Sequence, residues 1–124
     1  NFILETKGWE WLAAEVVLLS EEHRYGGTAD GLAIIDGKVV LIDFKTSKGV
    51  YPTFDLQLAM YAMAEPERED LREQWLQIDH AKIVHLNQDR LTWQVLDRDV
   101  ESQKPYVAGL RSTYQWKRNF DSNY

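Results

Sequence analysis

Asp30, Asp43 and Lys45 are the side chains of this sequence best suited to chemistry, and a countable turn sets the two acids against each other. The run Gly27-Thr-Ala-Asp30-Gly-Leu-Ala-Ile-Ile35 is joined through Asp36-Gly37 to Lys38-Val-Val-Leu-Ile-Asp43-Phe-Lys45. Asp-Gly between two β-branched runs is the strongest short-range hairpin signal. A two-residue turn fixes the register, so Ile35 faces Lys38, Ile34 faces Val39, Leu32 faces Leu41 and Asp30 faces Asp43. Like charges directly opposite each other destabilise an antiparallel pair unless a cation compensates or a carboxyl pKa rises. A bound metal ion is the simplest compensation.

The same counting reaches a third carboxylate. Trp11 to Ser20 reads as another strand, turned back through Glu21-Glu22-His23-Arg24 into Tyr25. A symmetric turn there sets Ser20 against Tyr25 and Glu15 against Asp30. Glu15, Asp30 and Asp43 then form one row across three strands, with Lys45 on the face of Asp43 because side chains alternate with period two. All-oxygen ligands favour Mg²⁺ or Mn²⁺, and three acids with a lysine suit metal-assisted hydrolysis. A bulge in either strand would break the row, and Glu15, which rests on two counted turns, is its most vulnerable member.

The apolar pattern around these acids argues against a solvated salt-bridged patch. Leu32, Ile34, Val39 and Leu41 share the face of the acids, while Ala33, Ile35, Val40 and Ile42 occupy the other, the signature of a strand pair covered on both sides. Acids in such a setting are costly unless paired or metal-bound.

The remaining sequence supplies the elements that hold this hairpin. Pro52 or Thr53 opens a helix to about Ala64, with Leu56, Met60 and Met63 as its apolar stripe and Gln57 and Tyr61 one turn apart on an adjacent strip. Pro66 ends that pattern. A short charged helix through Leu71 and Trp75 follows, and Glu65, Glu67, Glu69, Asp70 and Glu73 read as a solvated face. Two strands, Ala81–Leu86 and Leu91–Leu96, joined by a polar turn at Asn87 to Arg90, extend the sheet as a second hairpin. From about Asp99 to Phe120 a helix is predicted, with Val107, Leu110 and Tyr114 toward the sheet. Lys104, Arg111 and Arg118 form its basic stripe, read as a solvated face ahead of a phosphate-contact surface. His80 and His85 are read as structural, and the five tryptophans as packing residues before base-stacking ones. The fold class is α/β, a mixed central β-sheet flanked by helices.

At 124 residues with 44% hydrophobic content, the chain makes one domain spanning 1–124. Its start at Asn1 fits an N-terminally truncated fragment. Without cysteine there are no disulfides, no structural zinc site of the cysteine type and no cysteine-ligated iron–sulfur cluster. There is no apolar run of membrane length and no signal-peptide pattern, so a soluble, intracellular, cytoplasmic location is expected. The net charge of −6 argues against a general nucleic-acid binder, but carboxylates that hold cations count as negative in a formal sum, and the bound ions invert the local field.

Three blocks in this order and spacing, Gly27-Thr-Ala-Asp30, Ile42-Asp43-Phe44-Lys45-Thr46-Ser47 and Gln57-Leu-Ala-Met-Tyr61, resemble the PD-(D/E)XK nuclease superfamily, in particular its RecB-like and phage exonuclease branch. The match runs from Glu15 to Ala64 and includes Tyr51-Pro52 ahead of the glutamine helix. The resemblance implies a restriction-endonuclease-like core in which Asp30 and Asp43 bind metal, the backbone carbonyl of Phe44 adds a ligand and Lys45 is the catalytic lysine. Gln57 and Tyr61 would stand beside the active site and the nucleic acid. It further implies an Mg²⁺- or Mn²⁺-dependent deoxyribonuclease, exonuclease-like, acting on DNA single strands or duplex ends in a phage or recombination setting. Many RecB-like relatives also supply a histidine or glutamate from a helix upstream of the first strand. Here only Glu5 and Glu10 offer acids and no histidine precedes His23. Two alternatives therefore stand beside the exonuclease: an inactive nucleic-acid-binding module of the same fold, and an endonuclease of the junction-resolving or restriction type.

Overall fold

A computed structural model describes residues 6–22, 24–107 and 109. In chain order the elements are β1 (Glu10–Ser20), β2 (Tyr25–Ile35), β3 (Lys38–Ser47), α1 (Pro52–Met63), β4 (Glu65–Pro66), a 3-10 turn (Glu69–Leu71), α2 (Arg72–Trp75), β5 (His80–Asn87), β6 (Trp93–Asp99) and a second 3-10 turn (Glu101–Gln103). The strands form one six-stranded sheet in the order β4-β1-β2-β3-β5-β6. β3 and β5 run parallel and the other neighbours antiparallel, so the architecture is α/β with a mixed sheet. The parallel pair needs a long crossover, and α1 and α2 lie within it.

The β2–β3 hairpin has the register that its turn dictates. Asp36 and Gly37 have φ of 51° and 78°, both positive, as the type I′ hairpin turn demands and as Asp-Gly tolerates at least cost. Pairing runs from Ile35↔Lys38 to Gly31↔Ile42. Asp30 and Asp43 come next in the same register, just past the last laddered pair. The β1–β2 hairpin also keeps its counted register, from Ser20↔Tyr25 through Val16↔Ala29 to Ala14↔Gly31, which leaves Glu15 opposite Asp30.

The two faces of the sheet divide as the alternation predicts. Leu32, Val39 and Leu41 join Leu58, Ala59, Trp75, Ile78 and Ile83 in the main core, whereas Ala33, Val40, Ile42 and Val84 form a smaller cluster behind the sheet with Trp9, Ile35 and Val95. The alternation breaks beside the acids. Ala29 lies in the main core together with Leu32, Glu15 has φ 51°, and Gly31 faces the opposite side, against Trp11. The strands therefore change which side chains they send inward at Glu15 and Asp30 while the pairing register there stays intact, and the register itself shifts by one nearer the start of β1, between Trp11 and Ala13.

Several boundaries and faces differ from the sequence pattern. α1 buries Leu58, Ala59 and Ala62 rather than the stripe of Leu56, Met60 and Met63, which pack only partly against the core. The two alanines let the helix lie close to the sheet, and the longer side chains flank it. β4 was not legible. Its two residues pair with Leu18 and Leu19 at the sheet edge, where Pro66 can sit because an edge strand tolerates a missing N–H. β6 begins at Trp93, two residues later than the β-propensity of Leu91-Thr92 suggests. Leu91 has φ 55° in a loop organised by Asn87, whose side-chain oxygen accepts hydrogen bonds from the Asp89 and Arg90 amides at 3.0 and 2.9 Å. The C-terminal helix is present from Lys104 to Val107, and Val107 is buried against the core. Lys104 pairs with Glu101, while Leu110, Arg111, Tyr114 and Arg118 lie outside the described residues. Among the described residues no helix is long and apolar enough to cross a membrane.

Candidate active site

Where the β2–β3 ladder ends, Asp30 and Asp43 meet under α1. Asp43 is 3% exposed and Asp30 half-buried. Asp30 Oδ2 accepts a hydrogen bond from the Phe44 backbone N–H at 2.7 Å, which ties it to β3 at the residue following Asp43. Burial pushes the Asp43 carboxyl up to about 6, the adjacent Asp30 reinforces the shift and the Lys45 ammonium opposes it. Asp43 Oδ2 is buried without a hydrogen-bond partner, with Lys45 Nζ 3.2 Å away as its ionic neighbour.

Lys45 projects to the same side and meets α1. Its Nζ donates to Gln57 Oε1 at 2.5 Å, and Gln57 Nε2 donates to the Tyr61 hydroxyl at 3.0 Å. The i, i+4 spacing of Gln57 and Tyr61 thus forms a polar relay along one strip of the helix. The ammonium also lies 5.2 Å from the centre of the Phe54 ring, a cation–π distance. Burial raises the Tyr61 pKa, helped by the charges of Asp43 and Asp30 and opposed by the Gln57 hydrogen bond. The tyrosine ring fits because position 27 has no side chain: a Cβ on Gly27 would stand 2.9 Å from Tyr61 Cε1.

Asp30, Asp43, Lys45, Gln57 and Tyr61 thus converge. Glu15 does not join them as a third close acid. It is opposite Asp30 in register, but its side chain is exposed on a left-handed backbone, and among the described residues no group of three or more His, Cys, Asp or Glu side chains is gathered as a metal cluster. The Phe44 side chain points outward and is 41% exposed.

One buried polar residue near the site, read from the sequence as structural, has a neighbourhood that the sequence did not reveal. His85 is 3% exposed and pairs with Lys45 in the parallel β3–β5 register. Its Nε2 lies 3.0 Å from Ser47 Oγ and 3.2 Å from the Ser47 carbonyl oxygen, and Ser47 Oγ donates to the Gly49 carbonyl at 2.6 Å. The end of β5 thus holds the loop leading from Lys45 into α1. No turn connects β3 to β5, so nothing in the sequence could be counted to reveal this neighbour. His80, by contrast, is exposed and pairs with the adjacent Asp79 at 2.6 Å. A second tie also escaped the sequence: Arg98 Nε on β6 lies 3.3 Å from Asp55 Oδ1 on α1.

The donor set fits a divalent cation. Two neighbouring carboxylates, one with a buried unsatisfied oxygen and a raised pKa, lose both penalties when a cation binds. Mg²⁺ characteristically takes one or two carboxylates and keeps several waters, so two acids suffice. Fold and site together define an α/β mixed-sheet domain with an acid pair and a lysine converging on its first helix. No family model and no curated protein matches the chain.

Proposed function

We propose that this chain is a metal-dependent deoxyribonuclease domain of the PD-(D/E)XK type, with a restriction-endonuclease-like core and exonuclease-like action on DNA. The observation that carries this reading is Lys45, held 3.2 Å from one acid of the pair and 2.5 Å from Gln57. A structural ion pair would need only one acid and one cation. Here a second carboxylate, Asp30, is brought beside Asp43, whose carboxyl is raised to about 6 by burial first and by this neighbour second, an arrangement more characteristic of functional sites than of stabilising ones.

Hydrolysis of a phosphodiester needs an activated water and relief of charge on the phosphorane and the leaving oxygen. Mg²⁺ or Mn²⁺ held by Asp30, Asp43 and the Phe44 carbonyl would supply Lewis acidity and lower the pKa of its bound water. Lys45 is flanked by two acceptors, the Asp43 carboxylate and the Gln57 amide oxygen, so its Nζ stands as a donor. That suits it to orienting the attacking water or stabilising developing charge. Gln57 and Tyr61 fix the ammonium from the helix side and offer N–H and O–H groups toward a phosphate.

Incubating the chain with linear and circular DNA, each with Mg²⁺, with Mn²⁺ and with chelator, tests the proposal. Loss of linear DNA only, dependent on cation, is the expected result. Cutting of circular DNA would point to the endonuclease alternative. Binding without cutting in either metal would leave the inactive module, the alternative raised by the missing upstream block.

A further inference from the structure

The buried stripe of α1 begins with a charge. Leu58, Ala59 and Ala62 are the buried residues of the helix, and Asp55 precedes them at helical spacing, so it lies on the same face. The side chain it meets is Arg98 on β6, with Arg98 Nε 3.3 Å from Asp55 Oδ1 and the two side chains 31% and 27% exposed. Arg98 stands opposite Ala81 in the β5–β6 ladder, and Ala81 belongs to the main core, so the arginine rises on the α1 face of the sheet. Both contacting atoms are buried, and among the described residues neither has a hydrogen-bond partner. The contact is ionic and desolvated at its centre.

Such a pair is a poor stabiliser. Its attraction is spent on desolvating the two ions, and apolar residues of similar volume in the same places are often as stable or more so; what a directional pair can add is a preference for one arrangement over its neighbours. Here there is an arrangement to fix. Gln57 and Tyr61 occupy the strip of α1 beside the buried stripe, and Gln57 Oε1 accepts from Lys45 Nζ at 2.5 Å, so a rotation of the helix about its axis would carry the amide away from the ammonium. Ala59 and Ala62 give the helix a smooth contact with the sheet that offers little resistance to rotation, and Tyr51 at the N-cap adds no side-chain capping bond. At the other end the ties are to backbone: the Tyr25 hydroxyl donates to the Met60 carbonyl at 2.5 Å and Trp75 Nε1 to the Tyr61 carbonyl at 2.9 Å. These hold the last turn, and the Asp55–Arg98 pair holds the first.

We propose that Arg98 is a positioning residue for the acid–lysine site: through Asp55 it fixes the rotation of α1 on the sheet and so brings Gln57 to Lys45. The inference rests on the nuclease reading only for what the site does, and its test has a readout that does not depend on cleavage.

The test compares the wild type with Arg98→Lys and with the apolar double variant Asp55→Leu/Arg98→Met. Three properties are measured on the full chain: the thermal midpoint, single-turnover cleavage with Mg²⁺ or Mn²⁺, and, without cation, the side-chain amide resonances of Gln57 in a proton–nitrogen correlation spectrum, assigned by their loss in Gln57→Ala. The double variant should melt at or above the wild type. Its Gln57 resonances should nevertheless move toward their position in Lys45→Ala, and cleavage should fall by roughly ten- to a hundredfold, the effect of losing one hydrogen bond to a charged group. Gln57→Ala added to the double variant should cost little more, since residues acting through one contact are not additive. Arg98→Lys, whose ammonium reaches as far as the arginine Nε, should keep the wild-type resonances and most of the cleavage. A double variant that melts well below the wild type would make the pair a structural tie and overturn the proposal. Wild-type Gln57 resonances in the folded double variant, or cleavage losses that multiply with Gln57→Ala, would overturn it as well. If the resonances move but the wild type cuts no DNA with either cation, the nuclease reading fails and Arg98 keeps its role. If DNA is cut and the resonances stay, the positioning role alone fails.

Discussion

Gln57 Oε1 accepts a hydrogen bond from Lys45 Nζ at 2.5 Å, one residue on α1 and the other on β3. That contact ties the position of the helix to the position of the ammonium. Gln57 is itself held by Tyr61, and Tyr61 by the space over Gly27, so three sequence blocks far apart in the chain converge on one cation.

Removing the amide should therefore act on chemistry more than on stability. Gln57→Ala is expected to lower single-turnover cleavage by roughly ten- to a hundredfold, the scale of a hydrogen bond to a charged group at about 1.5–3 kcal/mol. The thermal midpoint should move little, because Gln57 is only half-buried. Unchanged cleavage in this variant would show that Asp43 alone positions Lys45.

A charged Lys45 offers no lone pair to a metal ion, so its loss should separate binding from turnover. Lys45→Ala is expected to cut turnover by roughly 10²–10⁴-fold, the range for a lost acid–base or charge-stabilising group, with divalent-cation affinity nearly intact. Calorimetric cation titration beside a single-turnover assay checks both halves. Near-normal cleavage, or lost cation binding, would reassign the residue.

Asp43 gives a pH signature. Its carboxyl is raised from 3.8 to about 6 in the folded chain, so the native state holds this proton more tightly than the unfolded state does. The contribution to stability is then fully present below pH 4 and is lost as pH rises through about 6. Asp43→Asn removes that slope. In the absence of cation, the variant should equal or exceed the wild type above pH 6, by on the order of 1 kcal/mol. This is less than the roughly 3 kcal/mol of a two-unit shift, because Lys45 loses its partner in the same substitution. Divalent cation should raise the melting temperature of the wild type by mass action and that of the variant much less. Thermal melts at pH 4 and pH 7, with and without Mg²⁺, decide the matter: a wild-type advantage that grows with pH in chelator would mean that the Asp43–Lys45 ion pair dominates.

What could be read from the sequence followed from turns that can be counted. Asp36-Gly37 dictated the pairing of Gly31 with Ile42 and so the approach of Asp30 to Asp43, and the 3.6-residue period put Gln57 beside Tyr61. The direction of Glu15 could not be counted, because a left-handed residue reverses side-chain alternation without moving the register. The buried face of α1 was misread because Ala59 and Ala62 carry little hydrophobic signal, yet their small size is what suits them to the sheet contact. His85 was hidden for a topological reason: a parallel neighbour reached through two helices leaves no local mark in the sequence.

His85 supplies the last prediction. Its Nε2 has two acceptors in reach, both on Ser47, and the serine carbonyl is also bound by the Gln88 amide at 2.9 Å. His85→Leu preserves the bulk of a buried side chain but abolishes its hydrogen bonds, and should cost about 1–3 kcal/mol in urea unfolding. Ser47→Ala removes only the hydroxyl and should cost less, since the carbonyl remains to accept from both His85 and Gln88. If the side chains act through their shared hydrogen bond, the double variant should be less destabilised than the sum of the two single ones, with a coupling of about 0.5–3 kcal/mol. Additive losses would mean that His85 contributes through packing alone. Cleavage by His85→Leu under native conditions, where the chain remains folded, then reports whether the end of β5 holds the Ser47–Gly49 loop, and with it the path from Lys45 to α1, in the arrangement that Gln57 requires.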